Sequence, residues 1–292
     1  MPAGRRSAGT PRPSRHPART TSRPGAGGGP ATAPLPASPG LASHSAAMGS
    51  GDDYDRMGER YAAHAEANPY NALYDRPAIL ALAGDVAGQR VLDVGCAAGA
   101  LAAAFVGRGA EVLGIDASRT MIELAERRLA GRARFRVADV SRPLDFAASG
   151  SIDLVAASLV MHYLVDWVPT LREFRRVLAP GGRVVLSTHH PGEDWHWFER
   201  PNYFAIEQVV DRFPIGDETT EVRFYRRPLS AVFAAIREGG FQVDELAEPV
   251  PLPECAERFP EVYASLTTTP RFLYLRLLPR PPAATPGGGR PD

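Results

Sequence analysis

The chain has 292 residues, a formal net charge of zero, 44% hydrophobic and 23% charged residues, ordinary globular composition with length for one large or two small domains. The zero hides an asymmetry: residues 1–51 carry six arginines and no acid, which leaves 27 arginines against all 33 acids in the remainder. No apolar run reaches the roughly 18 to 20 residues of a membrane span, and no compact apolar signal core stands at the N-terminus. Cys96 and Cys255 are too far apart in sequence for a metal ladder or a disulfide framework, so a reducing, cytoplasmic setting without a bound metal is expected. Every basic residue besides histidine is arginine, a composition bias without mechanistic weight.

Residues 1–52 read as a disordered, basic, Pro/Gly-rich tail, or as sequence upstream of a start at Met48. Residues 53–278 read as the folded domain and 279–292 as a second Pro/Gly tail. Within the domain, Tyr54 to Ala67 and Ala72 to Ala83 show helical spacing, interrupted at Asn68-Pro69-Tyr70-Asn71. Arg90 to Val94 is a short strand run ending in Gly95, followed by an Ala-rich helix from Leu101 to Gly107. Strand Glu111 to Ile115 leads to helix Arg119 to Ala130, with Ser118 as its N-cap. Further strands are expected at Ala133 to Val137, Ile152 to Ala156 and Arg183 to Thr188, with a helix from Val168 to Leu178 stopped by Pro180-Gly181-Gly182. This alternation specifies βαβ units and a parallel sheet covered on both faces.

Residues 191–227 show no clean periodicity and hold eight aromatics, from Trp195 to Tyr225. They read as an insertion after the fifth strand, either a lid over an apolar or planar ligand or a second small core. A helix from Leu229 to Glu238 and strands Phe241 to Leu246 and Phe272 to Leu278 complete the domain.

In Val91-Leu92-Asp93-Val94-Gly95-Cys96-Ala97-Ala98-Gly99, glycines stand where a chain must turn between strand and helix and let a ligand approach backbone amides. Asp116 ends the second strand 21 residues after Gly95, the offset at which a carboxylate takes ribose hydroxyls. Asp93, inside the turn, repels a pyrophosphate and attracts an ammonium. S-adenosylmethionine therefore suits the turn better than NAD.

On these residues the chain resembles the class I S-adenosylmethionine-dependent methyltransferases of small-molecule type, from about Tyr61 to Gly182 and more loosely to Leu278. The resemblance implies a Rossmann-like α/β fold, a seven-stranded, mostly parallel sheet with one antiparallel strand near its edge. It implies S-adenosyl-L-methionine held by Asp93, Gly95, Ala97 and Gly99 at the methionine end, by Asp116, Ala117 and Met121 at the ribose and adenine, by Asp139 and Val140 at the adenine, and by Ser158 near the methyl group. The acceptor implied is a small, partly apolar metabolite methylated on oxygen, nitrogen or carbon. The run Ser158-Leu159-Val160-Met161-His162 lacks the Asp/Asn-Pro-Pro-aromatic pattern of base-methylating enzymes, so neither nucleic acid nor membrane is expected as a partner.

Strand ends line the crevice of such sheets, which makes His189 and His190 candidate bases, and His162 either a base or a residue stacked near the cofactor. Tyr61, Tyr70, Asn71, Trp195 and Tyr203 are the candidate acceptor contacts. His189, His190, Asp194 and His196 match no established metal-ligand spacing. Two alternatives share these features: an NAD-dependent oxidoreductase, and a non-catalytic cofactor-binding protein.

Overall fold

The computed structural model describes residues 50–215 and 218–281. The expected tails over 1–52 and 279–292 lie almost wholly outside the described residues, although a helix already begins at Ser50 and a strand runs through Pro279. Nine strands occur among the described residues. β1 (Arg90–Val94), β2 (Glu111–Asp116), β3 (Arg134–Val137), β4 (Ile152–Ala157), β5 (Leu178–His189), β8 (Phe241–Ala247) and β9 (Phe272–Pro279) form one sheet in the order β3-β2-β1-β4-β5-β9-β8. β9 runs antiparallel to both β5 and β8, while the other pairs are parallel. The strand order reverses between β1 and β4, which opens a crevice at their C-terminal ends.

Each strand feeds two cores by alternation. Leu92, Val94, Val155, Ala157, Val184 and Leu186 point to one face, where α5 (Val168–Val177) and α7 (Leu229–Glu238) cover them. Val91, Leu154, Ala156, Val185 and Tyr274 point to the other, covered by α2 (Arg76–Ala83) and α3 (Ala100–Gly107). Trp167, Leu171 and Phe174, spaced at i, i+4 and i+7, give α5 its buried stripe. α4 (Arg119–Leu129) starts at the expected N-cap, where Ser118 Oγ accepts from the Met121 amide at 3.1 Å.

The structure departs from the sequence reading at five places. β5 begins at Leu178, which pairs with Ile152 before the Ala179–Gly182 turn loops out and pairing resumes at Arg183. The first helix, α1 (Ser50–Ala67), carries a kink at Gly58 (φ 49°, ψ −132°). The expected helix from Ala72 is a π-helical turn over Tyr70–Asp75 that continues into α2. Residues 191–227, read as aperiodic, form α6 (Pro191–Trp197) and an antiparallel ribbon of β6 (Glu207–Ile215) and β7 (Glu218–Arg226), apart from the main sheet. Alternation was present there, with Val222 and Phe224 buried, but dense charge between them obscured it. Two short helices, α8 (Glu254–Arg258) and α9 (Pro260–Leu266), had no clear sequence signal and deliver Cys255 and Leu266 to buried positions.

Phe174 is fully buried between α5, α7 and the sheet. Phe174→Ala is expected to destabilise the fold by about 3–5 kcal/mol, read as a lowered urea midpoint with an unchanged m-value.

Candidate active site

The crevice at the end of β1 and β4 is a cavity of about 370 Å³. The turn after β1 makes its floor. Gly95 (φ 69°), Ala97 (φ 45°) and Gly99 (φ 76°) alternate in the left-handed region, which bends the strand abruptly into α3. At Gly95 a Cβ would stand 2.8 Å from Val160, so both backbone and space demand glycine there.

Ala97 holds its strained conformation because its amide donates to Asp116 Oδ2 at 3.0 Å. Asp116 Oδ1 accepts from the Ser118 amide at 2.9 Å. The Ser118 hydroxyl in turn donates to Asp55 of α1 at 2.5 Å, and Asp55 also accepts from the Thr120 amide at 2.9 Å. One chain of bonds thus joins the β1 turn, the β2 exit, the α4 N-terminus and α1. Burial nevertheless raises the Asp116 pKa, outweighing these amide donors.

Asp93 is almost fully buried, and its Oδ2 has no hydrogen-bond partner. Burial first, and the Asp116 charge second, push its pKa up to about 7. A buried carboxylate with an orphaned oxygen at a helix N-terminus is matched by a cation, not by a phosphate. Asp93 and Asp116 therefore fit the ammonium and ribose of S-adenosylmethionine.

Of the expected cofactor contacts, Asp93, Gly95, Ala97, Asp116, Ala117, Met121, Asp139, Val140 and Ser158 all line this cavity. Gly99 does not: it packs against α4, where a Cβ would stand 3.0 Å from Ala125 Cβ and 3.1 Å from Leu129. Asp139 Oδ1 accepts from its own loop, the Ser141 amide at 2.8 Å. Of the expected acceptor contacts, Tyr61 and Asn71 line the cavity. Tyr70 packs against the α2 side of the core, with its amide on Asn68 Oδ1. Trp195 is exposed on α6, and Tyr203 lies beside it, its hydroxyl accepting from the Leu229 amide. Neither reaches the cavity lining.

The three candidate bases also stand outside the lining. His162 is buried against His189, Tyr163 and Phe224, and burial drives its pKa well below the usual imidazole value. His189 Nδ1 lies 3.1 Å from Asp194. His190 caps α6 by accepting from the Gly192 amide and lies 3.1 Å from Glu248 on its other nitrogen. His162 and His189 belong to a polar aromatic core beneath the ribbon.

Several lining residues carried no sequence signal. Tyr54 of α1 and Tyr163 share a 2.6 Å hydroxyl contact, and Tyr54 packs edge-on against Tyr61. Burial raises all three phenols, which stay neutral. Gln208, Arg223 and Tyr225 project from the ribbon face opposite Phe224. Asp75, from the π-helical turn, also lines the cavity.

A family model described as "Methyltransferase domain" matches residues 92–186. A ubiquinone biosynthesis O-methyltransferase of Acinetobacter baylyi is 30% identical over 168 residues, 56% of this chain and 68% of that protein. A demethylmenaquinone methyltransferase of Clavibacter sepedonicus is 40% identical over 104 residues, 35% of this chain and 41% of that protein. Of a biotin biosynthesis bifunctional protein of Cellvibrio japonicus the chain spans only 25% of the length, at 33% identity, and of an uncharacterized protein of Haemophilus influenzae 80%, at 26% identity. Among solved structures, an S-adenosylmethionine-dependent methyltransferase from Mesorhizobium loti shares the fold at a TM-score of 0.55 and 24% identity, covering 73% of this chain and 99% of that one.

Asp93 gives this site a pH signature. Below about pH 7 it is protonated, and binding a cation then requires losing that proton. Affinity for S-adenosylmethionine is expected to rise with pH to about 7 and then level off, with proton release on binding below that pH. Asp93→Asn is expected to weaken binding tenfold or more and to flatten the dependence, as calorimetry in buffers of different ionisation enthalpy would report.

Proposed function

The chain belongs to the class I S-adenosylmethionine-dependent methyltransferases, and from that premise we propose that it methylates a small, partly apolar, planar metabolite held beneath α1 and the β6–β7 ribbon. One observation carries this reading. The cavity that begins at Asp93 and Asp116 continues without a break to Tyr54, Tyr163, Tyr225 and Gln208. One side offers carboxylates and a backbone cradle, and the other offers neutral phenols. A cationic nucleoside fits the first, and a planar acceptor fits the second.

When bound, the cofactor supplies a methyl group on a positively charged sulfur. Asp93, Gly95 and Ala97 would hold its methionine end, Asp116 its ribose, and Met121, Asp139 and Val140 its adenine. The acids also lower the potential of a positive charge brought into the cavity. Tyr54, Tyr61 and Tyr163 exclude water from the reacting centre, and the ribbon acts as a lid by laying Tyr225 and Arg223 across the mouth. Most of the acceleration comes from this positioning. The ubiquinone and menaquinone relatives support a planar ring as acceptor. The nicotinamide reading has no comparable support, since Asp93 stands where a pyrophosphate would lie.

Among the described residues no helix is long and apolar enough to cross a membrane. The free, buried thiols of Cys96 and Cys255 suit a reducing compartment, so the reading places the enzyme in the cytoplasm acting on a small molecule and not on nucleic acid.

The direct test is incubation of purified protein with labelled S-adenosylmethionine and candidate planar metabolites. The expected result is a small product heavier by one methyl in the mass spectrum. No methyl gain in any acceptor, with cofactor bound, would favour a non-catalytic binder. Within an active assay, Tyr225→Ala is expected to raise the acceptor KM about tenfold, about 1.4 kcal/mol, with cofactor affinity unchanged. Trp195→Ala should change neither.

A further inference from the structure

Asp75 is the last residue of the π-helical turn, and it is only 3% exposed. Its Oδ2 accepts from the Ser158 hydroxyl at 2.5 Å and its Oδ1 from the Ser187 hydroxyl at 2.6 Å. Ser158 is the first residue beyond β4, and both it and Asp75 line the cavity. Ser187 lies within β5, fully buried, and its oxygen accepts from the Leu159 amide at 3.0 Å. That leaves Ser187 one proton to give, and Asp75 takes it. The turn is pinned from outside, since the Leu252 amide donates to the Leu73 carbonyl at 2.9 Å. Single π-helical turns mark functional positions in many folds, because the widened turn costs regular helical bonding.

The consequence lies at Ser158. Its proton is committed to Asp75, so its lone pairs are free to accept from whatever occupies the cavity. Among the described residues no histidine lines the cavity to compete for that role. Resting on the reading that the chain methylates a small acceptor, we propose that this acceptor is methylated on a hydroxyl oxygen that is protonated at neutral pH, with Ser158 relaying its proton to Asp75. Ser158 Oγ takes the hydroxyl proton as its own proton passes to Asp75 Oδ2. In the same step the acceptor oxygen bonds to the methyl carbon, and the carbon–sulfur bond breaks with its electron pair kept on sulfur. The sulfonium becomes a neutral thioether, the carboxylate becomes a neutral acid, and the proton later leaves to solvent.

The groups around Asp75 suit this work. Burial pushes its pKa up to about 6, against the pull of Ser158, Ser187, Arg76 and Tyr274. The other titratable neighbours, Tyr61 and Tyr74, are phenols whose own pKa values are raised. Asp75 is therefore largely ionised at neutral pH yet more basic than an exposed carboxylate. Sequence showed nothing of this, since Asp75 falls inside the expected helix from Ala72 to Ala83.

The test uses wild type, Asp75→Asn, Ser158→Ala and Ser187→Ala, with two phenols of like shape, one protonated and one already ionised at the assay pH. S-adenosylhomocysteine binding is measured first, and failure of wild type to bind it would overturn the methyltransferase reading itself. Infrared titration of the cofactor-free protein should show a protonated carboxyl band lost near pH 6 and missing in Asp75→Asn. Turnover of the protonated phenol should rise with pH through about 6 and then level. Ser187→Ala should move that midpoint upward, because it removes a hydrogen bond to the ionised form. Asp75→Asn and Ser158→Ala should each lower turnover of the protonated phenol about a hundredfold, a loss about thirtyfold larger than for the ionised phenol. An equal loss with both phenols, an unmoved midpoint in Ser187→Ala, or no transfer to either phenol by a wild type that binds S-adenosylhomocysteine would overturn the relay.

Discussion

The two amides on the Asp116 carboxylate set the shape of this site. One oxygen holds Ala97 in a left-handed conformation that alanine adopts reluctantly, and the other holds Ser118 at the start of α4. Through Ser118 the same linkage reaches Asp55 and so fixes α1 over the cavity. Asp116 is thus both a candidate ligand contact and the brace of the turn beneath it. Removing its carboxylate would disturb the backbone as well as the ligand, whereas Asp93 makes no such brace on its free oxygen.

Burial of acids governs the electrostatics. Asp75, Asp93 and Asp116 all enter the cavity wall, and burial raises the pKa of each. Such a site carries a standing electrostatic debt that a bound cation relieves. The distribution of the formal charge foreshadowed this, since the domain is acidic while the arginine excess lies in the first 51 residues. The carboxylates that tie α1 to α4, Glu59 on Arg127 and Glu66 on Arg128, are largely exposed and contribute little stability. The buried tether through Asp55 and Ser118 matters more.

Beyond β5 the chain uses its aromatics for construction more than for recognition. His162, His189, Phe198, Phe224 and Phe272 pack together beneath the ribbon. Arg227 lies over the Trp167 ring at 4.6 Å and donates to the Leu164 carbonyl. Arg226 is buried on Glu207. The ribbon is anchored on one face by this core and turns Gln208, Arg223 and Tyr225 to the cavity with the other. Histidines at a strand end suggested catalysis, but strand position says only that a side chain reaches an end of the sheet. What else packs there decides its surroundings.

The sequence by itself determined the parts that are local. Alternating apolar runs, the glycine turn, the Ser118 cap and an acid at the end of the second strand depend on residues within about 25 positions of each other, so the Rossmann-like sheet and the cofactor side were legible. The acceptor side was not, because it is assembled from distant segments. Asp75 meets Ser158 across 83 positions and Ser187 across 112. Tyr54 meets Tyr163 across 109. The ribbon residues face the cavity because Phe224, on the other face, packs on the histidines. No periodicity records such meetings, since they follow from chain closure around the sheet, and only the tertiary structure decides which oxygen faces the cavity and which is held by another side chain.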